Sequence, residues 1–388
     1  MQDLQENKSE KELDDILKET EREQAITDLI FLMEEILNYP KMGNIHKEVE
    51  QFLLQVETQQ GQKKAEILLP RSHLKTTEIT ISYTVQRILK DPNIRIFITN
   101  ERLDNSKSFL REIKTHFEKN EKLRYLFGNY VNKDNKWTET EIIVSQRSKT
   151  FKEPTIQVGS VDISLVSQHY DLILGDDLVS RNNVTTKEQI DKVKQYWKDL
   201  LSLLDVGGMI VNIGTRWNYD DLHGMLLKDQ SYLRFIRGAF NKDGLPIFPE
   251  KFTKEYLNQL KGEIGSYDFS CLYLNNPVDD EDADFKRSYF ENRFESKNLI
   301  GKRLNIFFTI DNAPSTKKGS DWQGIIGNAV DEDNNWYLIL VERFKGNTPA
   351  LIKKVFDIWI RYSPQVIGIE QKAFEDLIKP YLDLESIS

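Results

Sequence analysis

Cysteine is nearly missing from this chain: Cys271 stands alone among 388 residues. A single thiol excludes an internal disulfide framework, and Cys271 reads as a small buried hydrophobe. Long apolar runs are missing too. No stretch approaches the ~18 residues of a membrane span, and the N-terminus has no signal-peptide core. The expectation is a soluble intracellular protein with no place in a membrane. Positive charge is in deficit, with a formal net charge of −9. That excludes a surface coated with bases but leaves room for a local basic groove. Neither an internal repeat nor a low-complexity tract occurs. What is present, 39% hydrophobic and 11% aromatic residues, is enough for globular cores, and the length suits two domains.

The most informative absence is local. "AEILLPRSHLKTTE", Ala65 to Glu78, reads as a short apolar strand, a turn, and Lys-Thr-Thr opening a helix. That is the layout of a phosphate-binding loop, but the loop contains no glycine. Leu69 and Leu74 occupy the glycine positions of G-x-x-x-x-G-K-[ST], where glycine lets backbone N–H groups close around phosphates. In this layout Lys75 would neutralise β/γ-phosphate charge and Thr76 would ligate Mg²⁺, while the helix N-terminus offers N–H groups. Arg71 adds a bidentate donor that substitutes for some missing backbone donors. The nucleotide-contacting stretch is then Arg71, Ser72, His73, Leu74, Lys75, Thr76 and Thr77. The rival reading is an ordinary basic turn at a helix start.

From residue 65 to about 240, apolar strands alternate with amphipathic helices. Strands are expected at Glu66–Leu69, Ile94–Thr99, Ile156–Gly159, Asp171–Gly175 and Met209–Gly214, with helices such as Asn105–Lys119 and Thr186–Leu204 between them. Continuous apolar strands separated by helices imply an α/β fold with a mostly parallel sheet covered on both faces. "HYDLILGDDLVS" ends a strand in Asp176-Asp177. Ligands bind at that edge of a parallel sheet, and phosphoryl transfer needs one acid for Mg²⁺ and one to orient the attacking water. The alternative is a pair of acids solvating a strand end. "MIVNIGTRW" ends at Thr215, a small polar group placed to sense a γ-phosphate.

The first 24 residues hold nine acids against four bases. Such a run is a solvated helix or mobile arm, or else a partner-binding helix. "ITDLIFLMEEIL" follows with helical spacing and is expected to cover the nucleotide domain.

"NNPVDDEDADF", Asn275 to Phe285, breaks the rhythm as an acidic, Pro-bearing linker. Beyond it come strands Leu304–Ile310, Gly324–Val330 and Trp336–Val341, a helix Pro349–Tyr362, a strand Val366–Ile369 and a further helix. "DEDNN" supplies the hairpin turn between the second and third strands. Asp311 ends the first strand and Glu370 the fourth. The order β-β-β-α-β-α, with acids ending strands one and four, is that of an RNase H-like fold, in which those strands are neighbours. Converging carboxylates can hold two ions about 3.5–4 Å apart. Asp321 is either a further ligand or a solvated turn residue.

These stretches together resemble the large terminase subunit of tailed bacteriophages, the motor-nuclease that packages viral DNA. "PRSHLKTT" resembles its Walker A form, "DPNIRIFITN" and "KNEKLRYLFGN" the segments after it, and "HYDLILGDDLV" Walker B. "GGMIVNIGTRWNYDDLHG" resembles the coupling motif and "FSCLYLNNPV" the end of the ATPase domain. "FFTIDNAPSTKKGSDWQGI" and "VIGIEQKAF" resemble the nuclease motifs, and the likeness runs over residues 45–383.

The resemblance implies an ASCE-type P-loop ATPase domain followed by an RNase H-like nuclease domain. Its boundaries would be an acidic helical segment and lid at 1–60, the ATPase at 61–275, a linker at 276–302 and a partial nuclease at 303–388. Lys75 and Thr76 carry over as nucleotide and Mg²⁺ residues, and Arg71 as the loop arginine. Asp176 carries over as the Walker B acid, Asp177 as the catalytic acid, Thr215 as the coupling residue, and Asp311 and Glu370 as nuclease metal ligands, with Asp321 kept as a candidate further ligand. The cofactors implied are ATP with Mg²⁺, and Mg²⁺ or Mn²⁺ in a two-metal nuclease. The partners implied are double-stranded DNA, a portal protein, a small terminase subunit and copies of the same chain in a ring, in the cytoplasm of the infected bacterial host.

Three departures stand out. The catalytic carboxylate is Asp177 where much of the family has Glu. No arginine lies between Arg147 and Arg181, so the cation acting on a neighbouring subunit is left among Arg102, Arg147 and Arg216. The element carrying another nuclease ligand is missing before Ser388, so the nuclease domain is expected to be C-terminally incomplete. The rival functions are a helicase or repair ATPase fused to an RNase H-like domain, and a non-catalytic virion or scaffold protein with a degenerate nucleotide fold.

Overall fold

Residues that alternate between two apolar faces build the main sheet. In β5 (Tyr170–Asp176), Leu172 and Leu174 enter one core while Ile173 between them enters the other. Side chains in a strand alternate in this way, so a strand apolar on both faces must be covered on both. The computed structural model describes residues 2–132, 134–163, 167–277, 293–311, 322–369 and 379. Its contacts divide the chain into two units, Met1–Arg287 and Ser288–Ser388.

The first unit begins with helices α1 (Gln2–Thr27), α2 (Leu29–Phe31) and α3 (Asn44–Glu57). Then come β1 (Lys63–Leu68), a π-helical stretch Thr76–Ser82 that runs into α4 (Tyr83–Lys90), and β2 (Ile96–Asn100). Next are α5 (Leu103–Lys119), α6 (Glu121–Phe127), β3 (Glu141–Ile142), β4 (Ile156–Ser160) and β5. The unit continues with α7 (Lys187–Leu203), β6 (Leu204–Gly214), α8 (Leu222–Leu226), β7 (Leu233–Ile236), α9 (Lys254–Ile264) and α10 (Ser266–Leu274).

The seven strands are ordered β3-β4-β2-β5-β6-β1-β7. Only the β3–β4 pair is antiparallel. β6 therefore stands between β1, which leads into the Pro70–Lys75 turn, and β5, which ends at the paired acids, in the mostly parallel α/β sheet expected from the sequence. On one face Val193, Trp197 and Leu200 of α7 close the core. On the other, residues of α3, α4 and α5 do so. The stretch Ile26–Leu37 does cover this core, through buried Leu29, Leu32, Met33 and Ile36, although it is broken into α2 and a π-helical turn. Cys271 is buried. Along α1 the side chains of Leu13, Ile16 and Leu17 are exposed, while Tyr125 donates to Asp14 Oδ2 at 2.9 Å.

In the second unit β8 (Asn305–Asp311), β9 (Gln323–Val330) and β10 (Trp336–Phe344) form an antiparallel meander. After α11 (Thr348–Tyr362), β11 (Val366–Ile369) returns parallel to β8. The order is β10-β9-β8-β11, so the first and fourth strands are neighbours, as the sequence pattern requires. Leu351 and Ile358 of α11 pack on Phe308, Ile310 and Ile325. Asp331 fastens the turn between β9 and β10 by accepting from the amides of Asp333 and Asn335. Among the described residues no helix is long and apolar enough to cross a membrane.

Candidate nucleotide site

The loop after β1 reaches a glycine-type conformation without glycine. Ser72 and Leu74 have φ of 63° and 57°, the left-handed region that costs an ordinary residue roughly 1–2 kcal/mol. Leu74 stands at the second glycine position, whereas Leu69, at the first, is buried in the core without a positive φ. The strain is offset from behind the loop. Lys251 Nζ donates to Ser72 O at 2.8 Å, and the Arg71 amide donates to Leu272 O at 2.8 Å. His46 accepts from the Gly43 amide through Nδ1 at 3.0 Å, so its Nε2–H is the donor to His73 O at 3.2 Å. Burial lowers the pKa of His46, which keeps it in that neutral tautomer. With these carbonyls occupied, the loop is free to turn its amides toward an anion, as backbone nests of mixed hand do.

His73 departs from its expected role as a phosphate contact. Its ring is 1% exposed and stacks on Phe252 with centroids 4.8 Å apart. Nδ1–H donates to Arg71 O at 3.0 Å. Burial pushes its pKa down to about 4, so it is a neutral wedge that braces the loop.

At the C-terminal edge of the sheet a cavity of about 350 Å³ is lined by Arg71, Lys75, Thr76, Asp177 and Thr215. Five residues picked out by sequence, spread over 145 positions, thus meet around one space. Ser72, His73, Leu74 and Thr77 do not line it. Lys75 Nζ lies 3.4 Å from Asp177 Oδ1. Asp177 itself has φ 48°, with its amide donating to Ile213 O at 2.8 Å.

Asp176 is wholly buried beneath this floor. Its Oδ2 accepts from Thr80 Oγ1 at 2.6 Å, while its Oδ1 has no hydrogen-bond partner among the described residues. Burial raises its pKa to about 6, with Asp177 adding and Lys75, Thr80 and Thr76 opposing. A buried carboxylate oxygen left open beside a threonine hydroxyl fits an oxygen-seeking cation such as Mg²⁺, which takes one or two protein ligands and completes its shell with water and phosphate.

Asn100, Glu101 and Ser180 also line the cavity, and sequence reasoning passed over them. Asn100 Nδ2 donates to Asp176 O at 2.6 Å and Ser180 Oγ to Glu101 Oε1 at 2.7 Å. Their signal was position: Asn100 closes β2, the strand beside β5. Of the three arginines considered for a neighbouring subunit, Arg102 is exposed. Arg147 is turned inward, donating to Glu153 O at 2.8 Å, and Arg216 donates to Tyr219 O at 3.1 Å.

In the second unit Asp311 is the last residue of β8 and is exposed. Ile310 pairs with Ile369, the last residue of β11. Asp321 and Glu370 lie outside the described residues, as does the further helix. Among the described residues no group of three or more His, Cys, Asp or Glu could hold a metal ion.

Solved structures similar to this chain are large terminases of bacteriophages. The HK97 large terminase has a TM-score of 0.42 and 13% identity, covering 90% of this chain and 73% of its own. The ATPase domain of the Thermus phage P74-26 large terminase has a TM-score of 0.41 and 13% identity, covering 63% of this chain and 97% of its own. A large terminase from a thermophilic bacteriophage, in complex with ADP, has a TM-score of 0.33 and 9% identity, covering 83% of this chain and 75% of its own. No family model and no curated protein matches. At identities this low the functional reading rests on the geometry of the site.

Proposed function

We propose that the first unit is an ATPase that drives duplex DNA during viral genome packaging, and that the second is a metal-dependent nuclease that cuts concatemeric DNA. The observation that carries the ATPase reading is the meeting of Lys75, Thr76, Arg71, Asp177 and Thr215 around one cavity above the buried Asp176. Lys75 and Arg71 bind and neutralise the β- and γ-phosphates. Thr76 and Asp176 would hold Mg²⁺, which would supply charge neutralisation for phosphoryl transfer. Asp177 orients the attacking water and accepts its proton. Being one methylene shorter than Glu, it requires that water to sit closer. Thr215, at the end of the strand between β1 and β5, contacts the γ-phosphate side and reports its loss to the sheet.

The nuclease reading, with Asp311, Asp321 and Glu370 as ligands, is supported by the strand order of the second unit and by the motif resemblance. The packaging role, the portal and small-subunit partners and the ring of copies come from that resemblance. Steady-state ATP hydrolysis with and without duplex DNA tests the ATPase reading. Turnover stimulated by duplex DNA is expected. Its absence in folded protein favours a non-catalytic virion or scaffold protein, and stimulation by single strands alone favours a helicase.

A further inference from the structure

Behind the cavity lies a second, wholly buried polar group. Glu66 is a charged residue in the middle of the apolar strand β1, and it pairs in register with Asn212 of β6. Glu66, Asn212 and His223 are each 0% exposed. Glu66 Oε1 and His223 Nδ1 are 2.6 Å apart, and Asn212 Nδ2 donates to Glu66 Oε2 at 2.9 Å. A carboxylate and an imidazole removed from water are retained only as a hydrogen-bonded pair, and losing either partner strands the other.

The other ring nitrogen is the informative one. His223 Nε2 is buried without a hydrogen-bond partner among the described residues, and so is Asp177 Oδ1. Both lie next to Gly214. A Cβ on Gly214 would sit 2.8 Å from Nε2 and 3.5 Å from Asp177 Oδ1, with the ring Cε1 at 2.7 Å. Gly214 has no positive φ; what its position demands is space, because a side chain there would meet the imidazole and, less closely, the carboxylate. Burial opposes charge on His223, but Glu66, then Asp221 at the head of α8 and Asp177, outweigh it and raise its pKa.

In the proposed reaction Lys75 is asked to serve two anions, Asp177 and the phosphates. Once a phosphate takes the lysine, Asp177 Oδ1 loses its ion-pair partner, and the His223 ring, which meets the same Gly214, is the buried group left beside it. We propose that His223, held by Glu66, is the positioning residue that keeps Asp177 in place when Lys75 turns to phosphate. This rests on the nucleotide reading of the cavity.

Histidine-ring NMR on the full chain reads the relationship without nucleotide. The His223 signal, assigned by its loss in His223→Gln, is expected to titrate above the ordinary histidine range and to move lower in Asp177→Asn. Kinetics read the role: Gly214→Ala, which places a methyl against the imidazole without touching a charge, is expected to lower kcat about tenfold with KM for ATP within about threefold. A Glu66→Gln/His223→Gln double variant, which removes both buried charges together, is expected to show the same split. A His223 midpoint indifferent to Asp177→Asn, or an unchanged kcat in folded Gly214→Ala, overturns the proposal. If the unmodified chain hydrolyses no ATP, the reading of the cavity fails, and the titration alone decides whether His223 serves Asp177.

Discussion

Lys75 Nζ stands 3.4 Å from Asp177 Oδ1, an ion pair between the residue that enters the helix after β1 and the residue just past β5. Lys75 is nearly buried, with 8% of its side chain exposed, while Asp177 keeps 41%. A cation placed so deep at the edge of a parallel sheet has two anions available to it, the carboxylate and an incoming phosphate. The pair therefore joins the residue proposed to bind phosphate to the one proposed to orient the attacking water.

Removing the cation should separate turnover from folding. Lys75→Ala is expected to lower ATP turnover by about 100-fold or more. The melting temperature should move little, because a pair with one partner this exposed contributes about 1 kcal/mol or less. Phosphate release and thermal melting measured on the same sample check this. Near-normal turnover in folded protein would contradict the nucleotide assignment.

The adjacent acids should not be interchangeable. Asp177→Asn keeps the shape but can neither accept a proton nor orient water as an anion. It is expected to bind Mg·ATP normally and to hydrolyse it about 100-fold more slowly or worse. Asp176→Asn is expected to weaken nucleotide binding only when Mg²⁺ is present. Titrations with a fluorescent ATP analogue, with and without Mg²⁺, distinguish the two, and identical behaviour in both variants would rule out the division of roles.

The strained loop predicts a stabilising substitution. Ser72 is exposed with φ 63°, and glycine adopts that conformation without the Cβ clash. Ser72→Gly relieves roughly 1 kcal/mol of strain and gives back part of it through the greater freedom of the unfolded chain. The expected result is a melting temperature raised by up to a few degrees, with nucleotide binding retained. A lowered melting temperature would show that the Ser72 side chain contributes more than its strain costs.

His73 predicts an acid-sensitive first unit. Folded, it stays neutral down to about pH 4, whereas an unfolded histidine takes up a proton near pH 6.5. Between those values the unfolded chain binds the extra proton, so stability falls as pH drops from about 6.5 to about 4. The loss amounts to at most about 3 kcal/mol from this group. Denaturant unfolding at pH 7 and pH 4.5, compared with His73→Gln, checks it; the variant is expected to lose less on acidification.

The layered pattern of this chain was legible because buried parallel strands leave unbroken apolar runs. β5 and the described strands of the second unit fall within a few residues of where the sequence places them. β7 escaped notice, since only Phe235 of its four residues is buried. β6 begins at Leu204 rather than Met209, because Asp205 is held by Arg95 and so keeps an otherwise turn-like Asp-Val-Gly-Gly segment in the sheet. Lys75, Thr76, Asp176, Asp177 and Thr215 stood out as candidates because each lies at or just past a strand end or at a helix start. The inward packing of His73 was not legible, since it follows from backbone angles at Ser72 and Leu74 that no residue type announces. The Glu66–His223 pair joins positions far apart in the chain, and its one local trace was an acid inside "AEILL".

A loop built of glycines is an ensemble that its ligand must collapse, and the lost freedom is subtracted from affinity. Here Lys251, His46 and the carbonyl of Leu272 have already done the collapsing. Ordering occurred when the chain folded, so under the proposed nucleotide reading the unfavourable entropy of capture is expected to be small. Calorimetry should therefore find a less negative binding entropy for this chain than for one in which Lys251→Ala has released the loop.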